Sequence, residues 1–296
     1  MKISTVRTDD REELAVWTRW GLLRVEAINR RFGEDFPADM LTLIKSGRLE
    51  DLNRWQLAGG GGEWQGEDLI FPSTARFAPC YRRPRKIWGI GLNYREHAVD
   101  LDETAPETEP ASFMKPDTTI TGCGDTIRIP RQSSRTTAEA ELGIVIGAVC
   151  RDIRPEDWKS FVAGFVPVLD MTAEDILRKN PRYLTRAKSF DTFFSFGPQL
   201  ITPDEIKNLE KLKVSTVING RACASNLISN MVHPPSVLVS FHSRVMTLLP
   251  GDIISTGTPG AVPIADGDTV EASIEGFEPL VNRVVDLKLK EKSSSQ

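Results

Sequence analysis

The chain has 296 residues, of which 40% are hydrophobic and 26% charged, and these values are typical of a globular protein with a substantial core. Its formal net charge of −4 and isoelectric point near 5.6 argue against binding to nucleic acid or to an anionic membrane surface. No apolar run is long enough to span a bilayer and no secretory signal is recognisable, so we expect a cytoplasmic protein.

Residues 1–80 are predicted to form a small N-terminal domain that is mainly helical. Hydrophobic residues recur at helical spacing between Asp10 and Gly33, where the glycine provides an end to the helix. A second short helix is predicted from Pro37 to Lys45. The four consecutive glycines at 59–62 suit no regular element, so we expect a loop there.

Residues 81–290 are predicted to form a β-rich domain, followed by a disordered tail at 291–296. Short runs of β-branched and aromatic residues alternate with turn signals, which favours a mostly antiparallel sheet and the α+β class. The segment Pro155–Val166 is an exception, because its hydrophobic spacing predicts a helix. The predicted strands include Ile87–Leu92, Glu139–Gly147, Val214–Ile218, Asp252–Ser255 and the segments 270–274 and 281–287, with Asn219-Gly220 as a hairpin turn.

Two glutamates distinguish the predicted strand at 139–147. Strand alternation places the hydrophobic residues on one face, whereas Glu139 and Glu141 fall together on the other. Neighbouring carboxylates repel each other, so they need either water or a positive partner such as a divalent cation. Taken alone, the pattern leaves a solvated face and a metal site open, and the solvated face is the more common of the two.

Other polar residues lie next to predicted strands. His97 and Asp100 have the spacing at which a carboxylate can orient an imidazole across one helical turn, although a surface histidine near an acid is equally compatible. Asp170 ends an apolar run and would either serve a site at a strand end or cap a helix. The segment Thr256–Gly260 offers hydroxyl and backbone N–H groups to an anionic ligand, or forms an ordinary turn.

Taken together and in this order, these segments resemble the fumarylacetoacetate hydrolase family. The resemblance covers roughly residues 85–287, about two-thirds of the chain. It rests on the motifs Gly91-Leu92-Asn93-Tyr94-Arg95-Glu96-His97, Phe113-Met114-Lys115-Pro116, Glu139-x-Glu141-Leu142 with Val145-Ile146-Gly147, Asp170-x-Thr172-Ala173, Lys188-Ser189-Phe190-Asp191-Thr192-Phe193, and Pro250-Gly251-Asp252 with Thr256-Gly257-Thr258-Pro259.

The resemblance implies a fold of mixed and antiparallel sheets rolled into a barrel-like core, which usually assembles as a homodimer. It implies that Mg²⁺ or Mn²⁺ binds to three carboxylates, here those of Glu139, Glu141 and Asp170. Family members hydrolyse a C–C bond in β-diketo acids, and relatives decarboxylate or tautomerise acids that resemble oxaloacetate. The resemblance therefore implies a small dicarbonyl compound as the substrate.

The resemblance also implies roles for the remaining site residues. His97, oriented by Asp100, would activate a water molecule, and Lys188 would neutralise the charge that develops near the metal. The substrate would be bound by Tyr94, Thr256, Gly257 and Thr258.

Two positions depart from the family pattern. Glu174 stands where the family usually has an arginine that holds the substrate carboxylate, and Ala224 replaces a common glutamine. Exchange of a bidentate cation for an anion changes recognition by charge as well as by shape. We therefore expect a larger or less charged dicarbonyl substrate than a simple acylpyruvate. Metal-dependent C–C hydrolysis is the leading prediction, and the alternatives are decarboxylation or keto–enol tautomerisation at the same site, or a catalytically silent binding protein.

Overall fold

The computed structural model describes residues 1–8, 11–60, 68–96 and 105–289. The predicted catalytic residues His97 and Asp100 lie outside the described residues, and so does the predicted tail at 291–296. No membrane-spanning helix is found in the described ranges.

The protein is dominated by β-strands that form two sheets. In the described part of the chain, thirteen strands belong to one sheet and five to the other. The strands are β1 (Lys2–Arg7), β2 (Glu12–Thr18), β3 (Gly21–Arg24), β4 (Leu69–Ile70), β5 (Ile87–Gly91), β6 (Ala111–Lys115), β7 (Ile120–Thr121), β8 (Thr126–Ile129), β9 (Thr136–Ile146), β10 (Val162–Ala173), β11 (Phe194–Phe196), β12 (Gln199–Ile201), β13 (Lys213–Ile218), β14 (Arg221–Leu227), β15 (Ile253–Ser255), β16 (Val262–Pro263), β17 (Thr269–Ile274) and β18 (Leu280–Asp286).

The helices are short and lie between groups of strands. They are α1 (Val25–Phe32), α2 (Met40–Lys45), α3 (Leu49–Trp55), α4 (Glu174–Lys179), α5 (Leu184–Lys188) and α6 (Pro235–Val245). Single 3₁₀ turns occur at Pro72–Thr74, Asp117–Thr119, Pro181–Tyr183, Pro203–Glu205, Leu209–Lys211 and Ile228–Asn230, with a longer one at Pro155–Phe161, and a π-turn covers Gln56–Gly60.

Ten strands of the large sheet have the order β4-β3-β2-β1-β12-β10-β9-β15-β5-β6. Of its other three strands, β16 pairs with β9, β11 pairs with β10 and β7 pairs with β11. The five-stranded sheet has the order β14-β13-β17-β18-β8. Most neighbours are antiparallel, whereas the pairs β5 with β15, β7 with β11 and β8 with β18 are parallel. These observations confirm a sheet-rich α+β fold. Neither sheet closes on itself in the described ranges, because each ends in edge strands.

Two hydrophobic cores lie on opposite faces of the large sheet. One is shared with the five-stranded sheet and contains Leu142 and Leu169 from the large sheet with Val214 and Ala272 from the smaller one. The other packs Val145 and Val166 against residues of α1, α2 and α3, including Ile28, Leu43 and Leu52. The large sheet is therefore buried on both faces, which explains why β9 and β10 are buried along their whole length.

The prediction of a helix from Asp10 to Gly33 was wrong for its first half. The described residues of this segment form the hairpin of β2 and β3, and only Val25–Phe32 is helical. Strand β2 pairs with β1 on one side and β3 on the other, so tertiary pairing overrode a local helical spacing. The predicted end of the helix is confirmed, since Gly33 adopts a left-handed C-cap conformation.

The second predicted helix is confirmed in its position and in its end at Lys45, but it begins at Met40. Asp39, rather than a proline, provides the start, because its carboxylate accepts a hydrogen bond from the N–H of Thr42 at 2.9 Å.

The predicted helix at Pro155–Val166 was wrong beyond its first two turns. A 3₁₀ helix covers Pro155–Phe161, and Val162–Ala173 form β10. Strand β10 pairs with β9 from Val162↔Ile146 to Ala173↔Thr136, and this long antiparallel ladder decides its conformation. As a consequence, Asp170 lies inside a strand. It is neither at a strand end nor a helix cap, because α4 has Ala173 as its N-cap residue.

The N-terminal region is continuous with the large sheet. Strand β1 pairs with β12 in the register Lys2↔Ile201 to Ser4↔Gln199. Hydrogen-bonded strands thus join residues on both sides of the expected boundary near residue 80. The division into 1–80 and 81–290 stays a prediction.

Candidate metal centre

Three carboxylates meet in the middle of the large sheet. The β9–β10 register places Asp170 directly opposite Glu139, and Glu141 lies two residues further along β9 on the same face. One oxygen from each of the three side chains lies within 4.8 Å of the others. All three residues are buried, and Asp170 is fully inaccessible. Burial excludes the solvated face that the sequence had left open.

Glu141 is held from the neighbouring strand β15. Its Oε2 atom accepts hydrogen bonds from Ser255 Oγ at 2.6 Å and from the backbone N–H of Gly257 at 2.8 Å. Ser255 ends β15 opposite Gly143, and the chain then leaves the sheet beside Glu141. The loop after β15 therefore orients this carboxylate through one oxygen.

Glu139 is oriented from β10 and from its own strand. Its Oε1 atom accepts hydrogen bonds from the hydroxyls of Thr172 and of Thr137, the latter at 3.2 Å. Thr172 lies opposite Thr137 in the β9–β10 ladder, one inward-facing position beyond Asp170. The sequence alternation that brought Glu139 into the site also brings these two hydroxyls to it.

Two buried lysines supply the positive charge of the site. Lys188, the last residue of α5, contacts Glu139 Oε2 and Asp170 Oδ2 through Nζ, each at 2.8 Å. Lys115, the last residue of β6, contacts Asp170 Oδ1 at 2.5 Å and also donates a hydrogen bond to the backbone carbonyl of Lys188. Each oxygen of Asp170 thus has its own lysine.

Burial and charge shift the pKa values of these groups in different directions. Burial raises the pKa of Glu141 to about 8, and the negative charges of Asp170 and Glu139 add to this effect. Burial opposes the charge of Lys188, but the carboxylates of Asp170, Glu139 and Glu141 outweigh it and raise its pKa. For Lys115, burial dominates the attraction of Asp170 and lowers the pKa. Within the described ranges, Glu141 is the carboxylate of the three that has no lysine contact.

The residues present fit a hard divalent cation. The donors are all carboxylate oxygens, which Mg²⁺ and Mn²⁺ prefer. Three carboxylates face two ammonium groups, so the cluster keeps excess negative charge when all five are ionised. A buried negative charge without compensation is costly, and a cation among Glu139, Glu141 and Asp170 would provide the compensation.

The predicted substrate-binding residues lie in the segments that follow β5 and β15. The phenol of Tyr94 is buried, and its hydroxyl has no hydrogen-bond partner among the described residues. Burial raises its pKa, with smaller contributions from the charges of Glu141 and Glu96. The hydroxyls of Thr256 and Thr258 donate to backbone carbonyls, those of Leu142 and Gly260. Substrate binding by these residues stays a prediction.

The other two histidines have structural contacts. The backbone N–H of His233 donates a hydrogen bond to Asn93 Oδ1, and its ring nitrogen Nε2 lies 2.6 Å from the carbonyl oxygen of Pro106. His242 is buried in α6, where Nδ1 lies 2.7 Å from the carbonyl of Leu238. Its ring packs on Trp88 with a centroid distance of 4.7 Å. The predicted catalytic His97 and its partner Asp100 lie in a range that the structure does not describe.

Glu174 forms ion pairs with two arginines. One oxygen contacts the guanidinium of Arg135 and the other that of Arg178, the latter at 2.6 Å. The carboxylate is nearly buried, whereas both arginine side chains are about half exposed or more. The negative charge of Glu174 is therefore balanced by these two arginines.

Four residues that contact the carboxylates have no role in the sequence analysis. They are Lys115 in β6, Thr137 in β9, Thr172 in β10 and Ser255 in β15. Lys115 carried a signal, because a lysine at the end of an otherwise apolar strand implies a buried partner. The hydroxyl residues gave no such indication in the sequence, because serine and threonine are common in strands.

Comparison with known proteins identifies the family. Residues 86–285 match the family profile "Fumarylacetoacetate (FAA) hydrolase C-terminal". The chain belongs to this family. The match covers about two-thirds of the sequence and includes all three carboxylates and both lysines of the site.

Several relatives within the family have named activities. An oxaloacetate tautomerase of Rattus norvegicus is 34% identical over 225 residues, which are 73% of this chain and 72% of the rat protein. The solved structure of maleylpyruvate hydrolase from Sphingobium sp. SYK-6 with manganese(II) and pyruvate has a TM-score of 0.78 at 27% identity, covering 97% of this chain and 99% of that one. A 5-carboxymethyl-2-hydroxymuconate delta-isomerase from Mycobacterium smegmatis gives a TM-score of 0.74 at 28% identity, with 97% and 99% coverage. These relatives support a hydrolase, isomerase or tautomerase function at the level of the family, and the acidic triad together with the manganese-bound neighbour indicates a divalent-metal site.

Proposed function

We propose that the protein is a metal-dependent hydrolase that cleaves a C–C bond in a β-diketo acid or a related 1,3-dicarbonyl compound. The observation that carries the proposal is the buried cluster of three carboxylates and two lysines in the large sheet. Cleavage of a C–C bond next to a carbonyl group leaves an enolate, whose negative charge must be stabilised. A cluster that holds a dication beside an ammonium group suits this requirement.

The proposed metal is Mg²⁺ or Mn²⁺, bound by Glu139, Glu141 and Asp170. When bound, a divalent cation supplies Lewis-acid stabilisation of the negative charge that develops on carbonyl oxygens. The manganese in the related maleylpyruvate hydrolase supports Mn²⁺ as one natural choice for this donor set.

The proposed roles of the protein side chains follow from charge and position. Lys188, kept protonated by Glu139 and Asp170, places an ammonium group beside developing negative charge. His97, oriented by Asp100, would take a proton from the attacking water. The buried hydroxyl of Tyr94, which has no partner in the described ranges, would donate a hydrogen bond to the substrate.

The proposed substrate is larger or less charged than a simple acylpyruvate. The position of the family arginine is occupied by Glu174, whose charge is balanced by Arg135 and Arg178. A substrate carboxylate thus loses a guanidinium partner at this position. Dicarbonyl compounds with a larger or a neutral distal group are the first candidates.

A second candidate is keto–enol tautomerisation of an acid that resembles oxaloacetate, and the rat tautomerase supports it. The same enolate would form, but no water attacks, so the reaction depends less on His97. Decarboxylation at the same site is a further outcome of this kind. A catalytically silent protein would bind the metal and convert no dicarbonyl compound.

The deciding experiment is turnover of a panel of acylpyruvates, oxaloacetate and neutral 1,3-diketones with Mg²⁺, Mn²⁺ or EDTA, with products identified by mass spectrometry. Metal-dependent formation of two fragments supports the hydrolase, and we expect His97→Ala to abolish it. Enol–keto conversion without formation of fragments, if the His97→Ala variant largely retains it, would show that the protein is a tautomerase and overturn the proposal of a hydrolase. Metal binding without conversion of any compound in the panel would indicate a catalytically silent protein.

We further propose that the protein is a homodimer, as the family resemblance implies. Light scattering coupled to size-exclusion chromatography is expected to give twice the 32.9 kDa of one chain. A mass of one chain across the micromolar range would contradict the proposal.

A further inference from the structure

The side chain of Asn93 connects three loops next to the metal centre. It follows β5, is almost fully buried, and uses every hydrogen-bonding group of its amide. Nδ2 donates to the carbonyls of Thr256 at 2.7 Å and of His233 at 3.0 Å, and Oδ1 accepts from the N–H of His233 at 2.8 Å. The backbone carbonyl of Asn93 also accepts a hydrogen bond from Val232 at 2.9 Å. Such complete pairing is what a buried amide requires.

One of these bonds reaches a metal ligand through a single peptide group. The carbonyl oxygen of Thr256 and the N–H of Gly257 belong to the same peptide plane. The oxygen accepts from Asn93, while the N–H donates to Glu141 Oε2 at 2.8 Å. Because a peptide group is planar and rigid, the bond from Asn93 sets the direction of the N–H that holds Glu141. Hydrogen bonds in series also polarise one another, so the first strengthens the second.

Gly257 is packed closely against the segment that contains Asn93. Gly257 has a φ of +93°, and a Cβ atom there would lie 2.8 Å from Asn93 Cβ and 3.0 Å from the carbonyl oxygen of Ile90. The loop after β15 is thus in direct contact with the segment that begins at Asn93. A shift of either segment would move the N–H away from Glu141.

We infer that Asn93 is a positioning residue that orients the metal ligand Glu141 through the Thr256–Gly257 peptide. Asn93 contacts none of the three carboxylates itself. It also begins the segment that carries Tyr94, so the same amide couples the placement of the buried phenol to that of Glu141. The inference rests on the proposed metal site, and it predicts that loss of the amide weakens metal binding before any chemistry takes place.

The test is a titration of metal-free protein with Mn²⁺, in which binding is measured by calorimetry or by the electron paramagnetic resonance signal of free Mn²⁺. We expect Asn93→Ala to raise the Kd for Mn²⁺ by about 10–100-fold, the range found when residues that support metal ligands are removed. Ser255→Ala, which removes the other donor to Glu141 Oε2, is expected to raise the Kd by a similar factor.

Asn282 offers a matched control. It is equally buried, and its amide donates to the carbonyls of Gly122 and Asp125 and accepts from Ser195. Ser195 lies opposite Leu169, so this cluster is on the other face of the large sheet from Asp170. Asn282→Ala thus removes the same number of side-chain hydrogen bonds as Asn93→Ala. It is expected to change the Kd for Mn²⁺ less than about twofold, because the Asn282 amide does not support a metal ligand.

The outcomes separate this inference from the proposed function. If wild-type protein binds no Mn²⁺, both the metal site and the inference fail. If wild type binds Mn²⁺ and a folded Asn93→Ala binds it equally well, or if Asn282→Ala loses affinity to the same extent, the positioning role alone is overturned. If Asn93→Ala does not fold, Asn93→Asp, which keeps the volume and loses donor capacity, is titrated with the same expectation.

Discussion

Lys188 contacts two of the three carboxylates and is buried, so its ammonium group interacts strongly with the centre of the site. Its contacts differ from those of Lys115, which anchors Asp170 and the backbone of residue 188. The two lysines are thus not equivalent. Lys115 links Asp170 to the backbone at residue 188, whereas Lys188 places its ammonium group between Glu139 and Asp170.

We predict that Lys188→Met lowers kcat/KM by at least about 100-fold, because preorganised charge is lost where negative charge develops. The affinity for Mn²⁺ should stay constant or increase, since a competing cation has been removed from Glu139 and Asp170. Steady-state kinetics and Mn²⁺ titration measure the two effects. A parallel loss of metal affinity and activity would show that Lys188 is only structural.

Lys86 provides the control for this variant. It forms an ion pair with the fully buried Asp252 at 2.5 Å, away from the carboxylate cluster. Loss of one partner of a buried ion pair costs about 3–5 kcal/mol. Lys86→Met is therefore expected to lower the melting temperature while the folded protein keeps its kcat/KM within a few-fold.

His242 makes the stability of the fold depend on pH. Burial lowers its pKa, an effect that the hydrogen bond to the Leu238 carbonyl only partly offsets, so the folded protein keeps the ring neutral. In the unfolded chain the ring takes up a proton below its ordinary pKa of 6.5. Protonation thus favours unfolding, and the stability present above this pH is lost as the pH falls.

We predict that the free energy of unfolding decreases less between pH 7 and pH 5 in His242→Gln than in wild type. Glutamine has no group that takes up a proton in this pH range. Urea unfolding at several pH values measures the difference. Equal pH slopes in the two proteins would rule out His242 as the source.

At the scale of elements, the site depends on β9 and its two neighbours. Strand β10 brings Asp170 and Thr172 to one side of Glu139, whereas β15 and the loop after it bring Ser255 and Gly257 to Glu141. Each carboxylate is thus oriented by a different element. The loop after β15 is the irregular one, and its conformation depends on a glycine.

We predict that Gly257→Ala weakens Mn²⁺ binding and lowers kcat/KM by at least about tenfold, because the loss of a ligand's supporting contact has this effect. A methyl group at this position would approach Asn93 Cβ and the Ile90 carbonyl too closely and displace the N–H from Glu141. Gly267 has a similar φ of +85° but no atom within 4 Å of an added Cβ. Gly267→Ala should therefore cost only about 1 kcal/mol of stability and leave metal binding unchanged. Equal metal affinities in the two variants would contradict the steric explanation.

At the scale of the whole molecule, the large sheet joins the N-terminal region to the part of the chain that matches the family profile. Strand β1 pairs with β12, and residues of α1 to α3 share a hydrophobic core with β9 and β10. The N-terminal helices thus pack on the same face of β9 and β10 that carries the metal ligands, further along the strands, because Val145 has the strand parity of Glu141 and Val166 that of Asp170. We infer that the two regions stabilise each other.

We predict a single cooperative unfolding transition, because the core residues Ile28 and Leu43 pack with Val145 and Val166 across the expected boundary. Differential scanning calorimetry should give a calorimetric enthalpy equal to the van't Hoff enthalpy. Two separate transitions, one of which is unaffected by Mn²⁺, would show instead that residues 1–80 fold independently.

The local sequence determined the features that depend on neighbouring residues. The alternation at 139–147 placed Glu139 and Glu141 on one face, Asn219-Gly220 formed the hairpin between β13 and β14, and Gly33 ended α1. The order of the motifs was sufficient to identify the family, and the three carboxylates lie in two of these motifs, Glu139-x-Glu141-Leu142 and Asp170-x-Thr172-Ala173.

Only the tertiary structure decided the features that depend on distant partners. The segments 11–24 and 162–166 have helical spacing, yet pairing with β1 and β9 makes them strands, because ladder hydrogen bonds and burial on both faces outweigh local propensity. The burial of Glu139 and Glu141, which separates a metal site from a solvated face, results from packing against distant segments, such as β15, whose Ser255 is 114 residues from Glu141 in the chain. The contacts of Lys115, Ser255 and Asn93 also span distant segments, and no local pattern encodes which carboxylate or carbonyl a buried polar side chain will meet.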